Sequence, residues 1–208
     1  MDRKEGVRMA YDEALVAGKL RRWEKYLLRF RLPEWEQIPD IGLYMEQVVT
    51  LLEQYLDYFP PELKEEPIIT GSAINNYVRR GFLPEPKKKR YYRRHIACLI
   101  IICTLKQSLV MPMIRRTLPL GDDEDEMRRV YEHFLRRHSI VTGYFAHEVM
   151  LGSSAILGHE ERTEIAVDTT EELIASAAII SGFSRLLAEK LLLLDGKTLE
   201  DGGSIEIE

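Results

Sequence analysis

Residues 69–95 read Ile69-Thr70-Gly71-Ser72-Ala73-Ile74-Asn75-Asn76-Tyr77-Val78-Arg79-Arg80-Gly81-Phe82-Leu83-Pro84-Glu85-Pro86-Lys87-Lys88-Lys89-Arg90-Tyr91-Tyr92-Arg93-Arg94-His95, and an apolar run beginning Ile96-Ala97-Cys98-Leu99 follows. Thr70 or Ser72 suits a helix N-cap, where a side-chain oxygen accepts a bond from a free backbone N–H. Ala73, Ile74 and Tyr77 then form one apolar stripe, widened by Val78. Asn75, Asn76, Arg79 and Arg80 take the remaining surface. Gly81 suits a left-handed carboxy-terminal cap, and Pro84 prevents continuation. The stretch therefore predicts a short helix over 71–80, a basic turn, and a longer buried helix. That order is the pattern of a winged helix-turn-helix. Amides and guanidinium groups on its exposed face are the groups that pair with adenine and guanine edges in a major groove.

The charge points the same way. Between residues 79 and 94, eight bases (Arg79, Arg80, Lys87, Lys88, Lys89, Arg90, Arg93 and Arg94) face one acid, Glu85, for a net +7. The whole chain carries −5, so the rest carries −12. A basic island in an acidic chain directs one face toward a polyanion and turns the remainder away from it. A charge run alone is ordinarily a solvated loop; its place after a polar helix with a Gly-Phe-Leu-Pro stop favours nucleic acid. Asn75, Asn76 and Arg79 are the candidate base readers. Lys87, Lys88, Lys89, Arg90 and Arg93 are the candidate phosphate ligands. Thr70, Ser72, Arg80 and Tyr92 complete the predicted DNA-binding set.

The string Ala73-Ile74-Asn75-Asn76-Tyr77, followed by Gly81-Phe82-Leu83-Pro84, resembles the segment of MerR-type regulators that reads Thr-Ile-Arg-Tyr-Tyr-Glu, then Gly-Leu. Arg90-Tyr91-Tyr92 resembles the wing of that family, and the apolar runs 96–105 and 109–115 resemble the helix pair that follows it. More specifically, residues 69–92, with Leu32-Pro33-Glu34-Trp35 and Ile38-Pro39-Asp40-Ile41 upstream, resemble the bacterial family called domain of unknown function 1836. The Ile-Asn-Asn-Tyr-Val string and the Lys-Arg-Tyr step carry that likeness, which covers about residues 32–118. It implies a MerR-like winged helix and a bacterial, cytoplasmic setting, and no established activity. Two departures from MerR limit the transfer. The helix before the recognition segment is long and separated from it by Pro60, Pro61 and Pro67, and no cysteines stand at the start of a long dimerisation helix. Metal-responsive activation is therefore not carried over.

Elsewhere the chain reads as helices. Leu20, Trp23, Leu27 and Phe30 recur at helical spacing within residues 1–31. A second helix is predicted over 43–59, with Tyr44, Val48, Leu51, Leu52, Tyr55 and Phe59 on one side. Residues 93–107 are apolar on nearly all sides, the mark of a buried helix. A short helix follows over 111–118, with Pro112 in its first turn. The acidic run 122–126 precedes Arg128 and Arg129, an order that suits the dipole at the start of a helix reaching about residue 150. The last helix is predicted over 170–194, and residues 195–208 form an acidic, glycine-rich tail.

Nothing in the sequence argues for an enzyme. There is no Ser-His-Asp arrangement, no glycine-rich phosphate loop and no His-Glu-x-x-His. His133 and His138 stand five apart, outside the i, i+3 or i+4 spacing of helical metal ligands. No metal and no cofactor are expected. Cys98 and Cys103 point to different faces of one helix, so a disulfide between them is not expected, and a reducing cytoplasm fits. No long apolar amino-terminal run is present, so no secretory signal is expected.

The sequence thus predicts a mostly α fold: an amino-terminal helix (1–31), a MerR-like winged helix-turn-helix with a small β wing (32–120), a helical dimerisation or sensing region (121–194) and a flexible acidic tail (195–208). The expected function is a DNA-binding transcriptional regulator. Its expected partners are double-stranded DNA, a second copy of the chain and an effector of unspecified chemistry, with no membrane. The alternative is a non-enzymatic protein-interaction module that keeps the winged-helix shape.

Overall fold

A computed structural model of the chain describes residues 17, 18, 20, 21, 25, 26, 28–57, 67–106, 108–116, 118, 123–154 and 181. Two compact units divide it, one built on residues 31–138 with 181–208, the other on 1–30 with 139–180. The described part is mostly helical, as the periodicity predicts.

The unit built on residues 31–138 starts with a 3₁₀ turn, Trp35–Gln37, and continues through α1 (Met45–Tyr55), α2 (Gly71–Arg79), α3 (Arg93–Leu105), α4 (Met111–Arg115) and the first part of α5 (Glu124–Gly152). Its centre is α3. Every residue from His95 to Cys103 is buried, so this helix is enclosed all round, as its unbroken apolar sequence requires. Each large aliphatic side chain so enclosed contributes about 1.5–3 kcal/mol. α1 packs on α3 and α2, using Val48 and Leu52, both fully buried. Ile74 and Tyr77 of α2 close the same core. Pro112 sits in the first turn of α4, where its missing N–H costs nothing.

α1 begins at Met45 rather than at Leu43. Leu43 cannot be helical because its N–H and C=O are both exchanged with Tyr91, each at 2.8 Å. Tyr44 caps the helix and is exposed, so it does not join the apolar side with Val48 and Leu52. Phe59 lies outside the described residues. Glu124, Asp125 and Glu126 stand in the first turn of α5, as predicted; in addition Asp123 Oδ1 accepts from the N–H groups of Asp125 and Glu126 at 2.9 and 3.3 Å, capping the helix. On α5, Met127 and Tyr131 are buried. The Tyr131 hydroxyl donates to the Pro33 carbonyl at 2.7 Å, and its ring tilts against Trp35. Burial pushes the Tyr131 phenol well above its ordinary range.

Among the described residues there is no strand wing. The expected β wing is instead a tight turn with isolated bridges between Lys87 and Arg90 and between Leu43 and Tyr91. The chain length explains this. Pro84 and Pro86 precede the turn, Tyr91 turns away to pair with Leu43, and Tyr92 already caps α3, so no ladder can form.

In the other unit, residues 17, 18, 20, 21, 25, 26, 28 and 29 are helical, as predicted for the amino-terminal segment. Tyr26 and Phe30 rings lie 5.9 Å apart, and Ala17 and Ala146 are buried. The predicted helix over 170–194, apart from residue 181, and the tail 195–208 lie outside the described residues.

Candidate nucleic-acid interface

α2 is built as its sequence implies. Thr70 is the N-cap: its Oγ1 accepts from the Ala73 N–H at 3.2 Å and lies 2.9 Å from the Ser72 hydroxyl. Gly81 takes φ 67° after the helix, the left-handed conformation that glycine adopts without steric cost. Burial of Ile74 and Tyr77 forces the opposite face outward. Ser72, Asn75, Arg79 and Arg80 are exposed there, with Asn76 half-buried beside them. The Arg79 Nη2–H donates to Asn76 Oδ1 at 2.9 Å, so this amide keeps its NH₂ donors for another partner. The Arg80 guanidinium lies over the Phe82 ring at 5.0 Å.

The basic turn is conformationally unusual. The Arg90 N–H donates to the Lys87 carbonyl at 3.0 Å, leaving Lys88 and Lys89 as the two central residues with φ 51° and 60°. Positive φ at both positions is the signature of a type I′ turn, which ordinarily recruits Asn-Gly. A side chain in the left-handed region costs about 1–2 kcal/mol per residue. Two adjacent lysines here are a local expense with no packing return, since Lys87, Lys88 and Lys89 are exposed and make no ion pair with a described residue.

Long-range ties hold this turn. His95, fully buried on α3, accepts the Tyr92 N–H at Nδ1 (3.0 Å). Because Nδ1 accepts, the other ring nitrogen carries the proton and donates to the Glu85 carbonyl at 3.3 Å. The Tyr91 ring meets His95 edge-on at 5.7 Å. The Arg90 Nη1–H donates to the Gly42 carbonyl and its Nη2–H to the Tyr44 hydroxyl, both at 3.0 Å. The Arg93 Nε–H donates to the Ile38 carbonyl at 2.8 Å, with the guanidinium near Trp35. Arg90, Tyr92 and Arg93, predicted to face DNA, thus have named structural tasks, whereas Lys87 to Lys89 do not. Sequence reading missed Gly42 and His95, neither of which carries any local signal.

The predicted residues fall into two groups, the α2 face and the turn. Among the described residues, no hydrogen bond, ion pair or ring contact joins one group to the other. The first group offers amide and guanidinium donors on a helix, the chemistry of base-edge readout. The second offers ammonium groups, the chemistry of phosphate contact. Arg115 of α4 and Lys106 add cations beside this region, over Phe82 and Tyr77 respectively. Cys98 and Cys103 are buried thiols outside any disulfide, both pushed up to about 12, chiefly by burial. Such thiols are neither nucleophiles nor ready metal ligands. Among the described residues no group of His, Cys, Asp or Glu is arranged to hold a metal ion, and no helix is long and apolar enough to cross a membrane.

Residues 33–134 match the model of a family described as "Domain of unknown function (DUF1836)". These bounds fall within the first segment, 31–138, of the compact unit that also includes 181–208. No curated protein and no solved structure matches the chain.

Proposed function

We propose that this family segment, residues 33–134, is a double-stranded-DNA-binding module of MerR-like winged-helix type, and that the chain is a transcriptional regulator. α2 enters the major groove. Asn75, Asn76 and Arg79 read base edges there, while Lys87, Lys88 and Lys89 contact the backbone. The observation that carries the reading is the pair of exposed left-handed lysines at the tip of the turn. A strained cationic tip that makes no ion pair with a described residue is accounted for by a polyanion, and an unusual backbone is a pointer to function. A homodimer is part of the proposal, because one short helix reads too few bases for specificity.

Selection of bound sequences from random duplex DNA by the purified chain at moderate salt tests this. A palindromic motif is the expected result. Recovery at background by the folded chain favours a second reading, a protein-interaction module. One observation supports that alternative: an open, largely apolar groove of about 410 Å³ lined by Pro39, Leu43, Glu46, Gln47, Thr50, Leu51 and Gln54.

A further inference from the structure

We propose that Arg90 is a positioning residue for the lysine turn: it holds Lys87, Lys88 and Lys89 in place to meet phosphate and does not itself bind phosphate. The inference rests on the DNA-binding reading above and assigns a different task to a residue that its charge alone places among the phosphate ligands. Both terminal nitrogens of Arg90 are engaged, one by the Gly42 carbonyl and one by the Tyr44 hydroxyl, each at 3.0 Å. Its guanidinium carbon also lies 4.5 Å from the centre of the Tyr44 ring. One N–H on each terminal nitrogen is therefore committed to the protein's own surface, and the two bonds fix the plane of the guanidinium against it.

Gly42 is what allows this. A Cβ added at Gly42 would stand 2.8 Å from Arg90 Cδ, 2.9 Å from Arg90 Cβ and 3.2 Å from Tyr92 Cζ. Only a residue without a side chain lets the arginine stem lie against this backbone. The clamp also acts where the turn needs it. Arg90 closes the turn through its own N–H, and its neighbour Tyr91 exchanges both backbone bonds with Leu43, the residue after Gly42. A turn with lysine at both left-handed positions is not held by its own sequence preference, so ties from outside set its shape. The four adjacent charges are thereby divided. Three project, and the fourth folds back to hold them.

The salt dependence of binding to a random-sequence DNA duplex, measured on the full chain, tests the assignment. Lys88→Ala sets the scale, lowering the slope of log K against log salt by about 0.9. Gly42→Ala alters no charge, yet it is expected to lower that slope by about 0.9 for each lysine it turns away. Arg90→Lys keeps the charge and is expected to follow Gly42→Ala, because an ammonium cannot reproduce the planar fork. With Lys87, Lys88 and Lys89 all changed to Ala, neither substitution should have any further effect. The proposal fails if folded Gly42→Ala and Arg90→Lys keep the wild-type slope, or if Arg90→Lys still weakens binding in the triple-alanine background. Should Gly42→Ala not fold, Tyr44→Phe takes its place, removing one hydroxyl from the clamp, and an unchanged slope there overturns the proposal equally. A wild-type slope near zero overturns the DNA-binding reading and this inference together. A steep wild-type slope with unaffected variants overturns the inference alone.

Discussion

Lys88 and Lys89 hold φ values of 51° and 60°, a conformation their side chains oppose and a glycine would not. Lys89→Gly should therefore raise the midpoint of denaturant unfolding, by about 1 kcal/mol of stability, while lowering the salt slope of DNA binding by about 0.9. Stability and binding moving in opposite directions would mark a residue kept for its charge; a loss of stability would show that the strain argument is wrong. His138 supplies a second test at this scale. Burial lowers its pKa, so the folded chain resists a proton that the unfolded chain accepts near pH 6.5. The folded state is unaffected above that value. It loses stability as pH falls from about 6.5 toward the lower folded-state pKa, below which the loss is constant. His138→Gln should flatten this part of the profile, as read by denaturant unfolding at pH 7.5 and 5.5; an unaltered profile would assign the dependence elsewhere.

At the scale of elements, α2 is short and depends on its ends. Thr70 Oγ1 satisfies the Ala73 N–H, and Thr70→Ala should cost about 1 kcal/mol, with helical content falling accordingly. Much of this element is legible in sequence. The cap, the apolar stripe through Ile74 and Tyr77, and the left-handed glycine all lie within one stretch of eleven to twelve residues, so local chemistry decides them. The same holds for α3, whose apolar run leaves burial as the only outcome. The start of α1 was not legible. Leu43 has the composition of a helical residue, but its backbone bonds go to Tyr91, far along the chain. The β wing was misread for the complementary reason. Its residues suit a hairpin, while the neighbouring ties to Leu43 and the cap of α3 leave no length for strands.

At the scale of the molecule, Tyr131 of α5 reaches back across 98 positions to the Pro33 carbonyl. Tyr131→Phe keeps the ring against Trp35 but leaves that buried carbonyl without its donor, and should cost about 1–3 kcal/mol. Thermal unfolding followed together with the near-ultraviolet signal of Trp35 and Trp23 would measure it; an unchanged transition would show that the bond is replaced by solvent. The exposed pair between Arg128 and Glu36 links the same two regions but contributes little, since surface ion pairs are weak. The hydroxyl and the buried rings therefore hold the first part of α5 to the start of its own unit.

The sequence by itself determined the helical class, the caps of α2, the burial of α3 and the location of the basic island. Each of these follows from residue types within a few turns of one another. Only the tertiary structure decided which basic side chains remain available. Arg90 and Arg93 look like Lys87 to Lys89 in a charge count, but their partners, Gly42, Tyr44 and Ile38, lie 46 to 55 positions away. A guanidinium has enough directed donors to be captured by distant carbonyls and a phenol, whereas the three lysines, at the tip of a turn, are exposed and make no ion pair with a described residue.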